Sequence, residues 1–228
     1  MQALKSIDNQ LVSKLTHVGH EKGVEYWDIR AASSVGTFVE LTNGKNKEVT
    51  YSNTKGVGIR AFFNGAWGFS VKQKLDQKSI VDGLLEAIKL SNLSEKNSSI
   101  KFKLKEFNPV KDKYISSSKI KLDNIDVEEK IKLVSNIEKD ASGFDKRVIN
   151  TQSMYSDAII DSVFINSNGS FIDQSISTLR VFSVVFTRDN GNLQRNSESI
   201  GGLGGYELAE KAKKIGIKVK GEYAIKVR

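Results

Sequence analysis

His17 and His20 are the only imidazoles in the 228-residue chain, and they lie three residues apart with Glu21 beside them. On a helix, side chains at that spacing share a face and can chelate a metal. A hydrolytic zinc site also needs a third ligand, an open coordination position and a base. His17 sits off the apolar stripe of its segment, so solvent is its expected neighbour and no metal site is predicted there. A nucleophile-His-carboxylate arrangement would have to use one of these two imidazoles, and no nucleophile elbow accompanies them. The sequence contains no cysteine, which excludes thiol nucleophiles, thiol redox pairs, iron–sulfur clusters and Cys-ligated zinc within this chain.

Two glycine clusters could serve phosphate binding. Gly56-Val57-Gly58 precedes a strand pattern rather than a helix, so it offers no helix N-terminus to a pyrophosphate, and the third glycine of the dinucleotide fingerprint is missing. Gly201, Gly202, Gly204 and Gly205 do precede a helical segment, but without the Lys-Ser/Thr of a phosphate loop; a flexible hinge is the expectation. Asp157, Asp161 and Asp173 could form a carboxylate group across a hairpin. On strands of alternating pattern they are expected on the solvent face instead.

The elements that must carry these residues follow an α+β order. Leu4, Ile7, Leu11, Leu15 and Val18 make one apolar helix stripe to about Glu21. Strand-like runs then flank Asn43-Gly44 and Asn64-Gly65, dipeptides favoured in two-residue hairpins, so residues 35–72 read as an antiparallel meander. Asp76 is placed to cap a helix whose buried face is Ile80, Val81, Leu84, Leu85 and Ile88. Residues 96–125 are rich in Ser, Asn and Lys and hold the only proline, Pro109. They read as a linker whose LKEFNPV centre suits an edge strand. Asp126 to Glu129 resemble a capping box before a third helix, which opens a second unit, and three or four strands follow with turns at Asn168-Gly169 and Asn190-Gly191. The predicted organisation is an N-terminal α+β domain over 1–95, a linker over 96–125, a middle α+β domain over 126–205, and the start of a further domain over 206–228. The last stretch, GEYAIKVR, reads as an unpaired strand, as if cut short.

The chain carries 35 basic against 27 acidic residues. The excess is local: residues 101–121 and 210–228 each hold seven Lys or Arg against two acidic groups. It is Lys-rich and lacks the aromatic interleaving that base stacking needs, so a solvated surface is expected and a nucleic-acid partner is not. No apolar run approaches the ~20 residues of a spanning helix, and no signal peptide is recognisable, so a cytoplasmic protein without a membrane partner is expected.

GVGIRAFFNGAWGFS, Gly56–Ser70, resists a bland reading, because Gly68 beside Trp67 in a strand suggests close backbone approach. This segment resembles the N-terminal fingerprint of the TldD/PmbA (TldE) family, the so-called modulators of DNA gyrase. The YWDIR strand, the LLEAIKL helix, the DVEEKIKLVSNIEK helix, the VFINSNGSFIDQ hairpin and the GGYE junction follow in family order. The resemblance implies zinc-dependent cleavage of unstructured peptides by paired TldD- and TldE-type subunits, as homo- or hetero-oligomers. It also implies that the zinc motif, HExxxH, belongs to a C-terminal domain. That motif is absent from this sequence, so no position inherits a catalytic or metal-binding role and zinc is expected only with the missing domain. The fingerprint positions Gly56, Gly58, Arg60, Asn64, Gly65, Trp67, Gly68 and Phe69 carry the likeness with no role attached. The implied function is a noncatalytic portion of such a peptidase, which helps to shape a peptide cleft. The alternative is a stand-alone binding or assembly module that pairs through an exposed sheet edge.

Overall fold

The computed structural model describes residues 4, 6–97, 99–105, 107–143, 145–189 and 191–219. The expected C-terminal strand at 221–228 therefore lies outside the described residues. Helix α1 spans Asn9–Glu21, and its start is set by Asp8, whose carboxylate accepts the Leu11 N–H at 2.9 Å. Leu4 and Ile7 are buried but precede the helix, because the side-chain cap fixes the first turn after Asp8.

Strands β1 (Tyr26–Thr42), β2 (Lys45–Phe63) and β3 (Ala66–Lys72) follow. Asn43-Gly44 has φ of 50° and 74°, and Asn64-Gly65 has 45° and 79°. Positive φ at both central residues is the type I′ requirement, so both expected hairpins form. Helix α2 (Gln77–Asn97) starts where Asp76 accepts the Ser79 N–H at 2.8 Å. Strand β4 is Lys111–Ile115, just beyond the LKEFNPV segment, and pairs in parallel with Phe171–Ser175. Pro109, which has no N–H to give, stays outside that ladder. Helix α3 (Val127–Ser142) begins at Asp126, yet its side chain makes no cap bond, so the expected capping box is not formed. Strands β5 (Val148–Asn166), β6 (Phe171–Asp189) and β7 (Asn192–Leu203) and helix α4 (Glu207–Ala212) complete the α+β order. At the β5–β6 turn only Gly169 has positive φ; the Asn166 side chain does the rest, accepting the Asn168 and Ser170 N–H groups at 3.1 and 2.9 Å. Among the described residues no helix is long and apolar enough to cross a membrane.

Two compact units result. The first gathers Met1–Ser34, Asn53–Ile115 and Ile160–Ser175, and the second Val35–Ser52, Ser116–Ile159 and Ile176–Arg228. They interleave in sequence because β1, β2, β5 and β6 run for 17, 19, 19 and 19 residues, long enough for each strand to serve both.

In the first unit, Leu11 and Leu15 of α1 and Ile80, Leu84 and Ala87 of α2 are fully buried in one cluster with Trp27, Ile29, Ile59, Ala61 and Ile165 of the strands. Odd-numbered residues of β1 and β2 thus face the helices, and Tyr26, Asp28, Arg60 and Phe62 face the other way. A Cβ on Gly68 would lie 1.9 Å from the Ala87 carbonyl oxygen, so α2 rests directly on the β3 backbone there. In the second unit, Val134 and Ile137 of α3 and Ala209 and Ala212 of α4 cluster with Val39, Tyr155, Leu179 and Val181. Again the odd positions of the strands turn to the helices.

Candidate functional site

The β2–β3 hairpin places its fingerprint residues by register. Arg60 lies opposite Phe69, Ala61 opposite Gly68 and Phe62 opposite Trp67. Directly opposed residues share a face, so Arg60, Phe62, Trp67 and Phe69 stand together on the side away from α1 and α2. Trp67 is in ring contact with Phe62 at 5.0 Å, with Tyr26 at 5.8 Å and with Phe69 at 6.3 Å. Tyr26 in turn meets Phe107 edge-on at 6.1 Å. The Arg60 guanidinium lies over the Trp67 ring, 4.9 Å from its centroid.

Arg60 is also forked onto Asp28. Its Nε donates to both carboxylate oxygens, at 2.9 and 3.0 Å, and its Nη2 donates to Oδ2. The Asp28 side chain is 1% exposed and that of Arg60 36%. The bond to Asp28 raises the Arg60 pKa further, and burial followed by the Asp28 charge raises that of Tyr26. Neither group exchanges a proton near neutral pH. The cluster forms an aromatic shelf with Phe69 at 57% and Phe107 at 49% exposure as its open parts. Asn64 and Gly65 hold the turn, with the Asn64 N–H donating to Glu25 at 2.6 Å and the Gly65 carbonyl accepting from Phe102 at 2.9 Å. Gly68 seats α2. Gly56 and Gly58 lie within β2 on the Arg60 side of the strand; a Cβ on Gly56 would crowd the Lys72 carbonyl oxygen at 3.3 Å, whereas at Gly58 the nearest atom, the Arg30 carbonyl oxygen, is 4.0 Å away and does not require glycine.

In the second unit the expectation for Asp157 is overturned. Its side chain is 4% exposed and paired with Lys130 Nζ at 2.7 Å. It also accepts the Thr37 N–H at 2.8 Å and the Tyr155 hydroxyl, while Lys130 donates to Thr37 Oγ1 at 2.9 Å. Strand alternation alone points Asp157 to one face; α3 then covers that face and delivers the cation that a buried carboxylate requires. Burial, followed by the bond to Asp157, pushes the Tyr155 hydroxyl far above its ordinary value. It remains a neutral donor. Asp161 and Asp173 are half-buried in the first unit, where Asp161 accepts from Ser175 Oγ at 2.7 Å and Asp173 meets Lys113 at 3.2 Å. Each has its own partner, and they form no shared carboxylate group.

The glycine-rich stretch is not a hinge. Gly201 and Gly202 are laddered to Arg180 and Leu179 within β7. A Cβ on Gly205 would lie 2.0 Å from the Ile120 carbonyl oxygen, so glycine is there for close approach rather than slack. Glu207 clamps the junction by accepting the Gly205 N–H at 2.9 Å and the Ile120 N–H at 3.0 Å. Burial pushes its carboxyl up, but these backbone donors prevail and bring it down to about 2.

Among the described residues no zinc donor set converges. His17 faces solvent and meets Glu21 at 3.3 Å, and among the described residues no three His, Asp or Glu side chains could hold a metal together. The composition missed Asp28, Lys130 and Glu207. Signals for two of them exist: Asp28 sits between apolar residues in YWDIR, and Lys130 falls three residues after Val127 and four before Val134 on the apolar stripe of α3.

Comparison with known families matches residues 27–91 to PmbA/TldA metallopeptidase domain 1 and residues 120–222 to the PmbA/TldA metallopeptidase central domain. The chain belongs to the TldD/PmbA family. Two curated relatives of this family member carry the name metalloprotease. That of Methanocaldococcus jannaschii is 26% identical over 92% of this chain and 45% of its own length. That of Methanothermobacter thermautotrophicus is 30% identical over 84% of this chain and 40% of its own. The chain thus spans less than half the length of these relatives. Among solved structures, a Bacteroides thetaiotaomicron protein carrying the name modulator of DNA gyrase superposes with a TM-score of 0.72 at 16% identity, covering 93% of this chain and 48% of that one. TldE of Thermococcus kodakarensis superposes at 0.64 with 14% identity, covering 92% and 47%. At such identities these two likenesses establish the TldD/PmbA fold alone.

Proposed function

We propose that this chain is the noncatalytic portion of a TldD/PmbA-type metallopeptidase and helps to shape the cleft that receives an unstructured peptide. The observation that carries this reading is β7. It is a strand of 12 residues that, among the described residues, pairs with β6 alone. Its only charged side chains are Arg195 and Glu198, so little guards the open row of N–H and C=O groups. Main-chain hydrogen bonds along such an edge hold an extended peptide without demanding a particular sequence. The aromatic shelf of the first unit offers apolar contact of the same undemanding kind. Zinc does not fit the donor sets described above, so no hydrolytic step is assigned to these residues.

The test is to incubate the 228-residue chain with zinc and an unfolded peptide, alone and with a separately supplied segment carrying HExxxH. Peptide binding without cleavage is expected for the chain alone, and cleavage only in the mixture. Cleavage by the purified chain alone overturns the proposal. The same open edge favours a second reading, an assembly module in which β7 pairs with a second copy or with a TldE-type subunit. In that case light scattering finds a concentration-dependent dimer, and peptide competes with dimerisation.

A further inference from the structure

On the side of the second unit's strands away from α3 and α4, a groove of about 550 Å³ runs over β5, β6 and the end of β7. Arg180 is its free charge. Among the described residues two guanidiniums are forked onto carboxylates, Arg60 onto Asp28 and Arg147 onto Asp145. Arg180, by contrast, is exposed and lies over the Phe182 ring at 5.7 Å; among the described residues it makes no hydrogen bond or ion pair. Asp157 also lines the groove, but its carboxylate is taken by Lys130, Thr37 and Tyr155.

The residue directly across from Arg180 on β7 is Gly201. Opposed residues share a face, so the one side chain that would stand between Arg180 and the open edge is missing. A strand added beyond β7 lies two strand spacings from β6, about 9.6 Å. An arginine and a glutamate reaching toward each other over a bare glycine span that distance. Thr178 and Ser199 hydroxyls line the same groove and add donors for an anionic group.

We infer that Arg180 and the gap at Gly201 form a carboxylate-reading subsite for an acidic side chain of an extended peptide laid along β7. This deepens the peptide-scaffold reading and rests on it. A guanidinium forked onto a carboxylate is among the stronger hydrogen-bonding pairs, and a partly solvated one corresponds to about a tenfold preference.

The test uses the full chain and fluorescent twelve-residue unstructured peptides, blocked at both ends and differing only in a central Glu or Gln, with binding read by anisotropy. The Glu peptide is expected to bind about tenfold more tightly. Arg180→Met, an exposed position, is expected to leave thermal unfolding nearly unchanged while erasing the difference, and Arg180→Lys to restore part of it. Equal binding of both peptides, or a preference that survives Arg180→Met, overturns the subsite and leaves the scaffold reading standing. A Gln peptide that gains affinity only with a free C-terminus shows the group read to be terminal and overturns the side-chain assignment. Failure to bind either peptide removes both readings together.

Discussion

Arg60, Asp28 and Trp67 in the first unit, and Lys130, Asp157 and Tyr155 in the second, are each a cation, a carboxylate and an aromatic ring. Both carboxylates are buried, at 1% and 4% side-chain exposure, but the cations differ, with Arg60 36% exposed and Lys130 only 6%. The first group keeps one side in water and presents rings to it. The second lies under α3 and spends every contact internally: Lys130 meets Asp157, Thr37 and, at 5.7 Å, the Tyr155 ring. Identical chemistry thus makes a surface in one unit and a fastening in the other. The amount of water left to the cation decides which.

The comparison breaks most visibly at Lys130. Lys130→Met strands a buried carboxylate without a counter-charge and is expected to cost about 3–5 kcal/mol in urea unfolding. Combining it with Asp157→Asn keeps a carbonyl acceptor and removes the charge, so the double variant is expected to lose less than Lys130→Met alone. A loss below about 1 kcal/mol for the single variant would mean that water reaches the pair.

Arg60→Met probes the other side of the contrast. Asp28 loses its fork, but a cation one-third exposed marks a place where water can stand in, so the expected cost is about 1–3 kcal/mol. Arg60→Lys should recover only part of it, because an ammonium can neither fork both oxygens nor lie flat on Trp67. Full recovery by lysine would show that the charge, rather than the planar geometry, holds the shelf together.

Much of this was legible in advance where a local rule sufficed. Asn43-Gly44 and Asn64-Gly65 announce hairpins because both positions need positive φ, and Asp76 announces a helix because its carboxylate can reach an N–H three residues on. The fingerprint residues Arg60, Phe62, Trp67 and Phe69 stand on one face because the hairpin register opposes them in pairs. What failed depended on tertiary cover. Strand alternation assigned Asp157 to a face but could not tell that α3 lies over it, and Lys130 inside an apolar stripe was the overlooked sign. Glycine content at 201–205 suggested slack, since composition does not separate freedom from close approach. Only the Ile120 carbonyl 2.0 Å from a Cβ position at Gly205 distinguishes the two.

The smallest effect sharpens the comparison of units at their helix starts. Asp76 caps α2 through its side chain, with Oδ1 on the Ser79 N–H at 2.8 Å and Oδ2 on the Ser79 hydroxyl at 2.8 Å, whereas Asp126 precedes α3 with no side-chain bond. These cap bonds draw the Asp76 carboxyl below its ordinary value. Asp76→Ala is expected to lower the unfolding midpoint measurably through the lost cap, and Asp126→Ala to leave it nearly unchanged. Urea unfolding of the two variants side by side checks the difference. Equal losses would place a working cap at Asp126 and with it the reciprocal Glu129 bond that the sequence suggests; unequal losses leave α3 anchored by Lys130 and its apolar stripe rather than by its first turn.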